Sequence, residues 1–430
     1  MSLTEATAID VEDVDNPVLP QFWAQPQSVI EEKLAALRAQ PLTKFPELPK
    51  NPTDPNDPTL AMAGSGAYIA TRYDDIVYMS RTPDIWSSAG GITALDTPPE
   101  FNEFFGSMIA MDDPRHARLR KLVSAGFTPR MLDKLEEGVI EQAQGIVNEV
   151  RDKGKVDFVV DVAARLPLKI VCDLMGIPHS EIDFVFGHTN TILGISDPEF
   201  SPPDGVDVLT ALFTAGGELA ELMKDVARSK EGGDSDDLTT VLVNAEIEGE
   251  KLTDADIASF FILLVVAGNE TTRNSIAWGL TYLTDNEDQR NLWQNDFATH
   301  SAGAVEEIVR MASPVTYMRR TATQDTELAG VPIAAGEKVL MNYLAANRDE
   351  AIFTDPYTFD ITRENNNHLG FGGPGPHFCL GAHLARRQIK TMYRELFQTL
   401  PDIHATSAPD VLEASFIHGV KHLDAEFTPA

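Results

Sequence analysis

The segment 369–381 combines a cysteine with residue types that could prepare it to bind a metal. Its sequence, LGFGGPGPHFCLG, places four glycines and two prolines before Cys379, and a helical pattern follows at once. A loop this rich in glycine can bring its backbone close to a flat ligand. A cysteine at a helix start is stabilised as a thiolate by backbone N–H groups and by the helix dipole. Cys379 is therefore the candidate ligand, and an inert buried cysteine is the alternative.

A second segment with functional residue types lies inside an unusually long predicted helix. Thr253 and Asp256 predict a capping box at its start, and helical periodicity continues to about residue 285. Residues 260–267 are apolar on nearly every face, which predicts burial. The sequence GNETT at 268–272 interrupts this pattern, although a buried glutamate is costly unless it is paired or hydrated. Such local conflicts tend to mark functional sites.

A third segment places Glu307 and Arg310 three residues apart, so both side chains would lie on one helix face and could form a charge-assisted pair. Most pairs with this spacing are ordinary surface pairs. The position of this pair, between the long helix and the cysteine loop, makes it informative.

Together these segments resemble the cytochrome P-450 superfamily, and the resemblance covers nearly the whole chain. Gly375, His377, Cys379 and Gly381 occupy their places in the haem-binding signature of that family, whereas Phe371 lies one residue further from Cys379 than the commonest spacing. The resemblance implies a mainly α, single-domain fold with small β-sheets, in which the long central helix crosses the haem. It also implies haem b as cofactor, with the Cys379 thiolate as the iron ligand.

The resemblance further implies which residues hold the haem. His116 and Arg120, four residues apart, would face one way and bind a propionate, and Arg320 and His377 would bind propionates as well. Cations suit these places because two buried carboxylates need partners. The implied cofactor-binding set is Cys379, His377, His116, Arg120, Arg320, Phe371, Gly372, Gly381 and Ala267.

The interruption in the long helix looks like the oxygen-activation motif of the same family, with Glu270 and Thr271 as its acid–alcohol pair. The Thr271 hydroxyl could donate a hydrogen bond beside the iron and hold a water, and Glu270 could relay protons from solvent. Gly268 would permit a helix distortion that opens space for dioxygen. By the same resemblance, Arg363 would join Glu307 and Arg310 in a structural network.

The implied reaction inserts one atom of O2 into a C–H bond of a hydrophobic substrate. Residues 104–109 and 267–274 look most like an actinobacterial branch that oxidises terminal methyl groups of branched fatty acids, isoprenoids and sterol side chains. Family topology would place eight apolar residues around the substrate, each of which could instead be plain core: Ile92, Phe105, Ile109, Leu263, Val266, Ala267, Val315 and Phe416.

Electrons must come from outside the chain, since no G-x-G-x-x-G opens a βαβ unit. Similar bacterial enzymes imply a ferredoxin with its reductase as the donor. Five basic residues could form a docking face for it, although each could equally be a solvated side chain: Arg115, Arg118, Lys121, Arg386 and Arg387.

Other functions stay open. A monooxygenase of secondary metabolism, acting on terpenoids or polyketides, would use the same motifs. A haem-binding sensor without turnover would not need Glu270 or Thr271, and peroxide-using relatives usually lack such a pair. A haem-free metal site built from Cys379 and His377 is disfavoured, because two ligands cannot close a zinc site.

The composition narrows the range of binding partners and cellular locations. Acidic residues outnumber basic ones 66 to 34, for a net charge of −32, which argues against nucleic-acid partners and anionic membrane surfaces. The two cysteines, Cys172 and Cys379, form no disulfide framework, and the N-terminus lacks a signal-peptide pattern. The apolar run 260–268 is too short to span a bilayer. We expect a cytoplasmic protein without a membrane anchor.

The chain pattern predicts a flexible acidic arm at 1–25 and one domain at 26–430. Helical periodicity occupies 27–39, 115–152, 161–175, 206–230, 254–285, 301–312 and 377–400. Short strands are expected at 67–71, 156–158, 326–333 and 338–340.

Overall fold

The helices follow the predicted periodicity along most of the chain. A computed structural model describes residues 13–47, 64–94, 96–97, 99–124, 127, 129–202, 206, 208–247 and 250–430. The α-helices of these residues are α1 (Pro20–Trp23), α2 (Gln27–Arg38), α3 (Tyr73–Arg81), α4 (Pro99–Gly106), α5 (Arg115–Ser124), α6 (Pro129–Val150), α7 (Arg165–Met175), α8 (Ile182–Gly194), α9 (Val208–Lys230), α10 (Leu238–Asn244), α11 (Asp254–Asp285), α12 (Glu287–Asn295), α13 (Phe297–Ala312), α14 (Tyr343–Ala346) and α15 (Ala382–Thr399).

The strands are short and gather into small sheets at the edges of the helical body. They are β1 (Lys44–Phe45), β2 (Ala67–Ala70), β3 (Trp86–Ser87), β4 (Lys155–Asp157), β5 (Glu246–Ile247), β6 (Glu250–Lys251), β7 (Tyr317–Ala322), β8 (Thr326–Leu328), β9 (Val331–Ile333), β10 (Lys338–Asn342), β11 (His404–Ala405), β12 (Asp410–Val411), β13 (Val420–His422) and β14 (Asp424–Glu426). The largest sheet has the order β1-β2-β10-β7-β3, in which only β2 and β10 run parallel.

The long helix α11 forms the centre of the fold. Its capping box forms as predicted: the Asp256 N–H donates to Thr253 Oγ1 at 3.1 Å, and the Thr253 N–H donates to Asp256 Oδ2 at 3.1 Å. Helices α7, α9, α13 and α15 pack against it. By length and apolar composition α11 could also cross a membrane, but 61% of its most apolar stretch of 18 residues is buried inside the fold. The same apolar composition is what a helix surrounded by other helices requires.

Two hydrophobic cores lie along α11. Phe261 and Val265, in its first half, pack with α7 and α9, whereas Ile276 and Leu280, in its second half, pack with α13 and α15. The polar residues 268–272 lie between these cores, so α11 is anchored on both sides of its functional segment. This anchoring fixes the height and rotation of that segment relative to α15.

Several predicted boundaries need correction. The segment 115–152 forms two helices, α5 and α6, because Pro129 favours a helix start. The region 326–333 is a hairpin of β8 and β9, turned by Ala329 and Gly330 at positive φ. The last predicted helix begins at Ala382 and not at 377, so Cys379 lies in the preceding loop.

The predicted acidic arm at 1–25 must also be corrected. Residues 1–12 lie outside the described residues, but residues 13–25 are packed on the domain. Phe22 and Trp23 are buried against Leu344 of α14, and the Trp23 indole N–H donates to the Pro17 carbonyl at 2.9 Å. Burying two large aromatic side chains outweighs the acidic character of this stretch.

Candidate functional site

A cavity of about 1430 Å³, part of which opens to solvent, lies between the centre of α11, the start of α15 and the Cys379 loop. All nine residues of the predicted cofactor-binding set line it. They come from distant parts of the sequence and are His116, Arg120, Ala267, Arg320, Phe371, Gly372, His377, Cys379 and Gly381. The sequence motifs therefore meet around one space.

The Cys379 loop is held by its own backbone. The Cys379 N–H donates to the Phe371 carbonyl at 3.0 Å, which closes the loop on itself. Gly372 has a φ of +85°, a conformation that disfavours any side chain. The Arg386 guanidinium lies over the Phe371 ring, 4.3 Å from its centroid. Despite its longer spacing from Cys379, Phe371 thus lines the cavity next to the cysteine.

The two cysteines have different environments. Cys379 presents accessible surface to the cavity while protein encloses it on the other sides. Burial raises the pKa of its thiol, whereas the backbone N–H groups of Gly381 and Ala382 and the nearby Arg120 and Arg386 favour the thiolate. Cys172 lies in the core between α7 and α9, where burial raises its thiol pKa to about 12. Only Cys379 faces the cavity.

Four basic side chains meet at one end of the cavity. The His116 and His377 rings lie 4.1 Å apart between centroids, and His377 Nε2 is 3.1 Å from Ser88 Oγ. Arg120 donates to the Phe378 carbonyl, and Arg320 Nη1 donates to the Arg319 carbonyl at 2.8 Å. Within the described part of the chain, no carboxylate forms an ion pair with Arg120 or Arg320.

Burial disfavours the charged forms of these four basic side chains. Burial is the main cause that lowers the pKa of His116, Arg120 and Arg320, and together with the neighbouring cations it lowers the pKa of His377 to about 2. His116 Nε2 is buried without a hydrogen-bond partner among the described residues. Anionic groups placed here would satisfy these donors and favour the protonated histidines. The four basic residues therefore fit the two propionates of a haem, and Cys379 on the same cavity wall could bind its iron.

The centre of α11 presents Thr271 to the same cavity. The Thr271 hydroxyl donates to the Ala267 carbonyl one turn earlier, at 2.6 Å. The helix is continuous through Gly268, so the expected distortion is absent from the described residues 254–285. Gly268 instead allows close packing, since a Cβ at this position would lie 2.8 Å from Val171 Cγ2 of α7.

Glu270 is buried, so it does not lie on a solvent-exposed face of α11. It does not line the cavity either. It pairs with Arg273, and its Oε1 accepts a hydrogen bond from Asn269 at 3.3 Å. Arg273 Nη1 also donates to Asn190 Oδ1 of α8 at 3.1 Å. Burial raises the pKa of the Glu270 carboxyl, and Arg273 offsets part of this rise. A direct path from solvent to Glu270, as the sequence suggested, therefore requires that the Arg273 pair opens.

Glu307, Arg310 and Arg363 form the expected network. Arg310 Nε and Nη2 donate to the two Glu307 oxygens at 2.8 and 2.7 Å, and Arg363 Nε lies 3.2 Å from each. Arg310 Nη1 also donates to the carbonyls of Asn347 and Pro356. The network therefore connects α13, through Arg363, to the segment that precedes the Cys379 loop.

Half of the predicted substrate residues reach the cavity, and the other half need correction. Ile109, Leu263, Ala267 and Val315 line it. Phe105, Val266, Phe416 and Ile92 lie outside its wall. Phe105 packs on Phe101, Phe104 and Phe213, Val266 packs against the α7–α9 core, and Phe416 packs on Tyr317.

The predicted basic docking face is partly neutralised. Arg115 pairs with Glu103 and Asp256, Arg386 with Glu306 and Arg387 with Asp133 and Glu136. Exposed pairs of this kind contribute little to stability but remove free positive charge from a surface. Arg118 and Lys121 are exposed.

Sequence reasoning missed Gln388, which lies on the cavity wall and is 2% exposed. Its Oε1 is buried without a hydrogen-bond partner among the described residues. A signal was available: Gln388 lies four residues after Leu384, on the apolar face of α15, where a polar side chain is unusual.

Comparisons with known proteins give a consistent result. A family model described as cytochrome P-450 matches residues 302–415. A methyl-branched lipid omega-hydroxylase of Mycobacterium tuberculosis is 44% identical over 98% of this chain and 99% of that protein. A steroid C26-monooxygenase of Mycolicibacterium smegmatis is 36% identical over 93% of this chain and 91% of that protein. A cytochrome P-450 of Mycobacterium marinum, solved in complex with pseudoionone, superposes with a TM-score of 0.88 at 40% identity, covering 99% of this chain and 100% of that one.

The buried network on α13 makes a direct prediction. Glu307→Ala would leave two buried guanidinium groups without their carboxylate and should destabilise the protein by about 3–5 kcal/mol. The matched control is Glu221→Ala, which removes an exposed pair with Lys224 at the same i, i+3 spacing and should leave stability unchanged. Denaturant unfolding of the two variants checks this. Equal, small effects for both would show that the network does not stabilise the fold.

Proposed function

The chain belongs to the cytochrome P-450 family, and from this premise we propose that it hydroxylates a terminal methyl group of a branched fatty acid, an isoprenoid or a sterol side chain. The chain is a haem-thiolate monooxygenase with a hydrophobic substrate and O2 as co-substrate. Its mainly α fold with small sheets agrees with the predicted fold. The observation that supports the substrate class is the apolar wall of the cavity above Cys379, together with the named activities of the relatives.

We propose that Cys379 ligates the iron and that His116, Arg120, Arg320 and His377 hold the propionates. When bound, the haem supplies a thiolate-ligated iron that activates dioxygen for insertion into a C–H bond. The protein contributes the orientation of the group. The Gly381 and Ala382 N–H groups favour the thiolate, and the buried basic cluster would hold the propionates and so orient the haem.

We propose that the substrate is held by burial of its hydrocarbon chain. Ile109, Leu263, Ala267 and Val315 offer hydrocarbon surface and no directional polar contact. Each buried methylene contributes roughly 0.8 kcal/mol, so a long chain gains affinity without charge recognition. Ala267 and Thr271 are one turn apart on α11, so the reacting carbon would lie near both.

We propose that protons reach the cavity through Glu270 and Thr271. The raised pKa of the Glu270 carboxyl keeps its proton available at higher pH than a free glutamate would allow. Arg273 has an alternative acceptor in Asn190 on α8, so its pair with Glu270 can open while the guanidinium stays hydrogen bonded. The Thr271 hydroxyl would then pass the proton into the cavity.

We propose a ferredoxin with its reductase as the electron donor, a cytoplasmic location and a single catalytic domain. Phe378 precedes Cys379, is 38% exposed, and gives an apolar contact point close to the sulfur. Lys121 and Arg118 are exposed on α5, the helix whose Arg120 binds the Phe378 carbonyl. A partner at this surface would have the shortest protein path to Cys379.

Product analysis tests the reaction and its position. Purified enzyme supplied with a ferredoxin system and a methyl-branched lipid should give the terminal alcohol, with one oxygen atom derived from isotopically labelled O2. We propose that the apolar wall holds the chain so that its end, and not its middle, lies near Thr271. Hydroxylation chiefly within the chain would contradict the proposed position, and oxygen derived from water would contradict the monooxygenase reaction.

Variants of the acid–alcohol pair test proton delivery. Thr271→Ala and Glu270→Gln should each lower the product formed per electron consumed, by on the order of 10²-fold for a lost general acid. In the wild type, product formation should fall as the pH rises through the raised pKa of Glu270, because the carboxyl then loses its proton.

That alkaline fall should be absent in Glu270→Gln, whose amide does not titrate. Asp285→Asn, at the exposed end of the same helix, is the control and should behave like the wild type. An unchanged pH profile in Glu270→Gln would exclude Glu270 from the proton path.

Removal of the exposed aromatic ring tests the electron-donor surface. Phe378→Ser should reduce the rate of reduction by ferredoxin several-fold, because complementary contacts set the association rate. Phe378 also lines the cavity, so the rate is measured at saturating ligand and compared with the rate for a small chemical reductant, which should be unchanged. The control is Phe184→Ser on α8, a phenylalanine that is also 38% exposed. Equal reduction rates for both variants would place the docking surface elsewhere.

A further inference from the structure

Charge is confined to one end of the cavity. The ionisable basic side chains on the described cavity wall are His116, Arg120, Arg320 and His377. These four form the cluster that fits the haem propionates, which would consume their positive charge. Apart from Cys379, whose thiolate the haem iron would bind, the remainder of the described wall is hydrocarbon and uncharged polar groups, chiefly Thr271, Thr272, Ser275 and Gln388.

Several other basic groups around the cavity are already engaged, among them Arg386, which pairs with Glu306. Arg273 lies on α11 but does not reach the cavity wall, and it is held by Glu270 and Asn190. Arg115 is bound by Glu103 and Asp256. His188 on α8 lies 3.0 Å from Glu218 on α9.

The elements that cover α11 next to the cavity are acidic. Helix α4 and the first turn of α11 carry Glu100, Glu103, Asp254 and Asp256. The contact between these two elements is direct, since the Ser259 hydroxyl donates to the Glu103 carbonyl at 2.6 Å. Arg115 offsets part of this negative charge through Glu103 and Asp256, and the charge of Glu100 and Asp254 remains. A negatively charged ligand would find no free cation on the described wall once the basic cluster binds the propionates.

We propose that this enzyme selects lipids whose polar end is uncharged, such as an alcohol, a ketone or an ester, and discriminates against the free carboxylate of the same chain. This inference rests on the proposed function, since it concerns the ligand of the same site. The physical cause is desolvation: an ionised carboxylate taken from water into a hydrocarbon wall loses its hydration and gains no partner. An uncharged polar group loses less, and the hydroxyls of Thr271, Thr272 and Ser275 on α11 can partly replace its water.

A matched pair of ligands tests the proposal on the intact holoenzyme. A methyl-branched fatty acid and its methyl ester share one hydrocarbon chain and differ in charge at pH 8. Each is titrated into the ferric enzyme below its micellar concentration. The spin-state change and isothermal calorimetry both report the dissociation constant, independently of turnover. The ester, and the corresponding primary alcohol, should bind at least tenfold more tightly than the acid.

Equal or tighter binding of the acid would overturn the selectivity and leave the proposed function intact. If none of the three ligands bound, the lipid function and the selectivity would fall together. A variant extends the test: Ile109→Lys adds a cation to the wall and should raise the affinity of the acid relative to the ester. Its thermal unfolding is measured alongside, and if the variant does not fold, the wild-type comparison still decides the question. A folded variant in which that affinity ratio did not change would contradict the electrostatic cause.

Discussion

The whole site depends on presenting one sulfur atom to an enclosed, mostly apolar space. Burial alone disfavours the Cys379 thiolate, and the protein counters this with the N–H groups at the start of α15 and with Arg120 and Arg386. The loop that carries the cysteine is closed by the hydrogen bond between the Cys379 N–H and the Phe371 carbonyl. A metal ion deprotonates a coordinating thiol outright, so iron bound to Cys379 would complete the stabilisation of the thiolate that the backbone N–H groups begin. Helix α11, on the opposite side of the cavity, then determines which ligands can approach the sulfur.

The supporting elements act as rigid walls on both faces of this space. The Glu307–Arg310–Arg363 network links α13 to the segment before the loop, and the two cores along α11 hold Thr271 at a fixed height. The basic cluster of His116, Arg120, Arg320 and His377 is unfavourable by itself, since burial lowers each pKa. Asp113 pairs with His116, but no carboxylate of the described residues forms an ion pair with Arg120 or Arg320, so an anionic ligand would stabilise this region and couple cofactor binding to its stability.

The nine predicted cofactor residues meet around one cavity because their positions are specified locally, and their contacts with the haem stay a prediction. The loop around Cys379 and the spacing of His116 and Arg120 depend on neighbours a few positions away, and all nine predicted residues line the cavity. The substrate wall was harder to predict, since one residue along α11 changes the direction of a side chain by about 100°. Ala267 faces the cavity while Val266 enters the core. Arg273 could have been found by the i, i+3 rule that identified Glu307 and Arg310, because it lies three residues after Glu270.

The central claim is that the Cys379 thiolate binds haem iron. The absorption spectrum of the reduced protein with carbon monoxide tests it most directly, because the position of the Soret band reports the axial ligand. We expect a strongly red-shifted band in the wild type and in Cys172→Ser, and its loss in Cys379→Ser. A wild-type band at the position typical of histidine ligation, or a red-shifted band that persists in Cys379→Ser, would contradict the account.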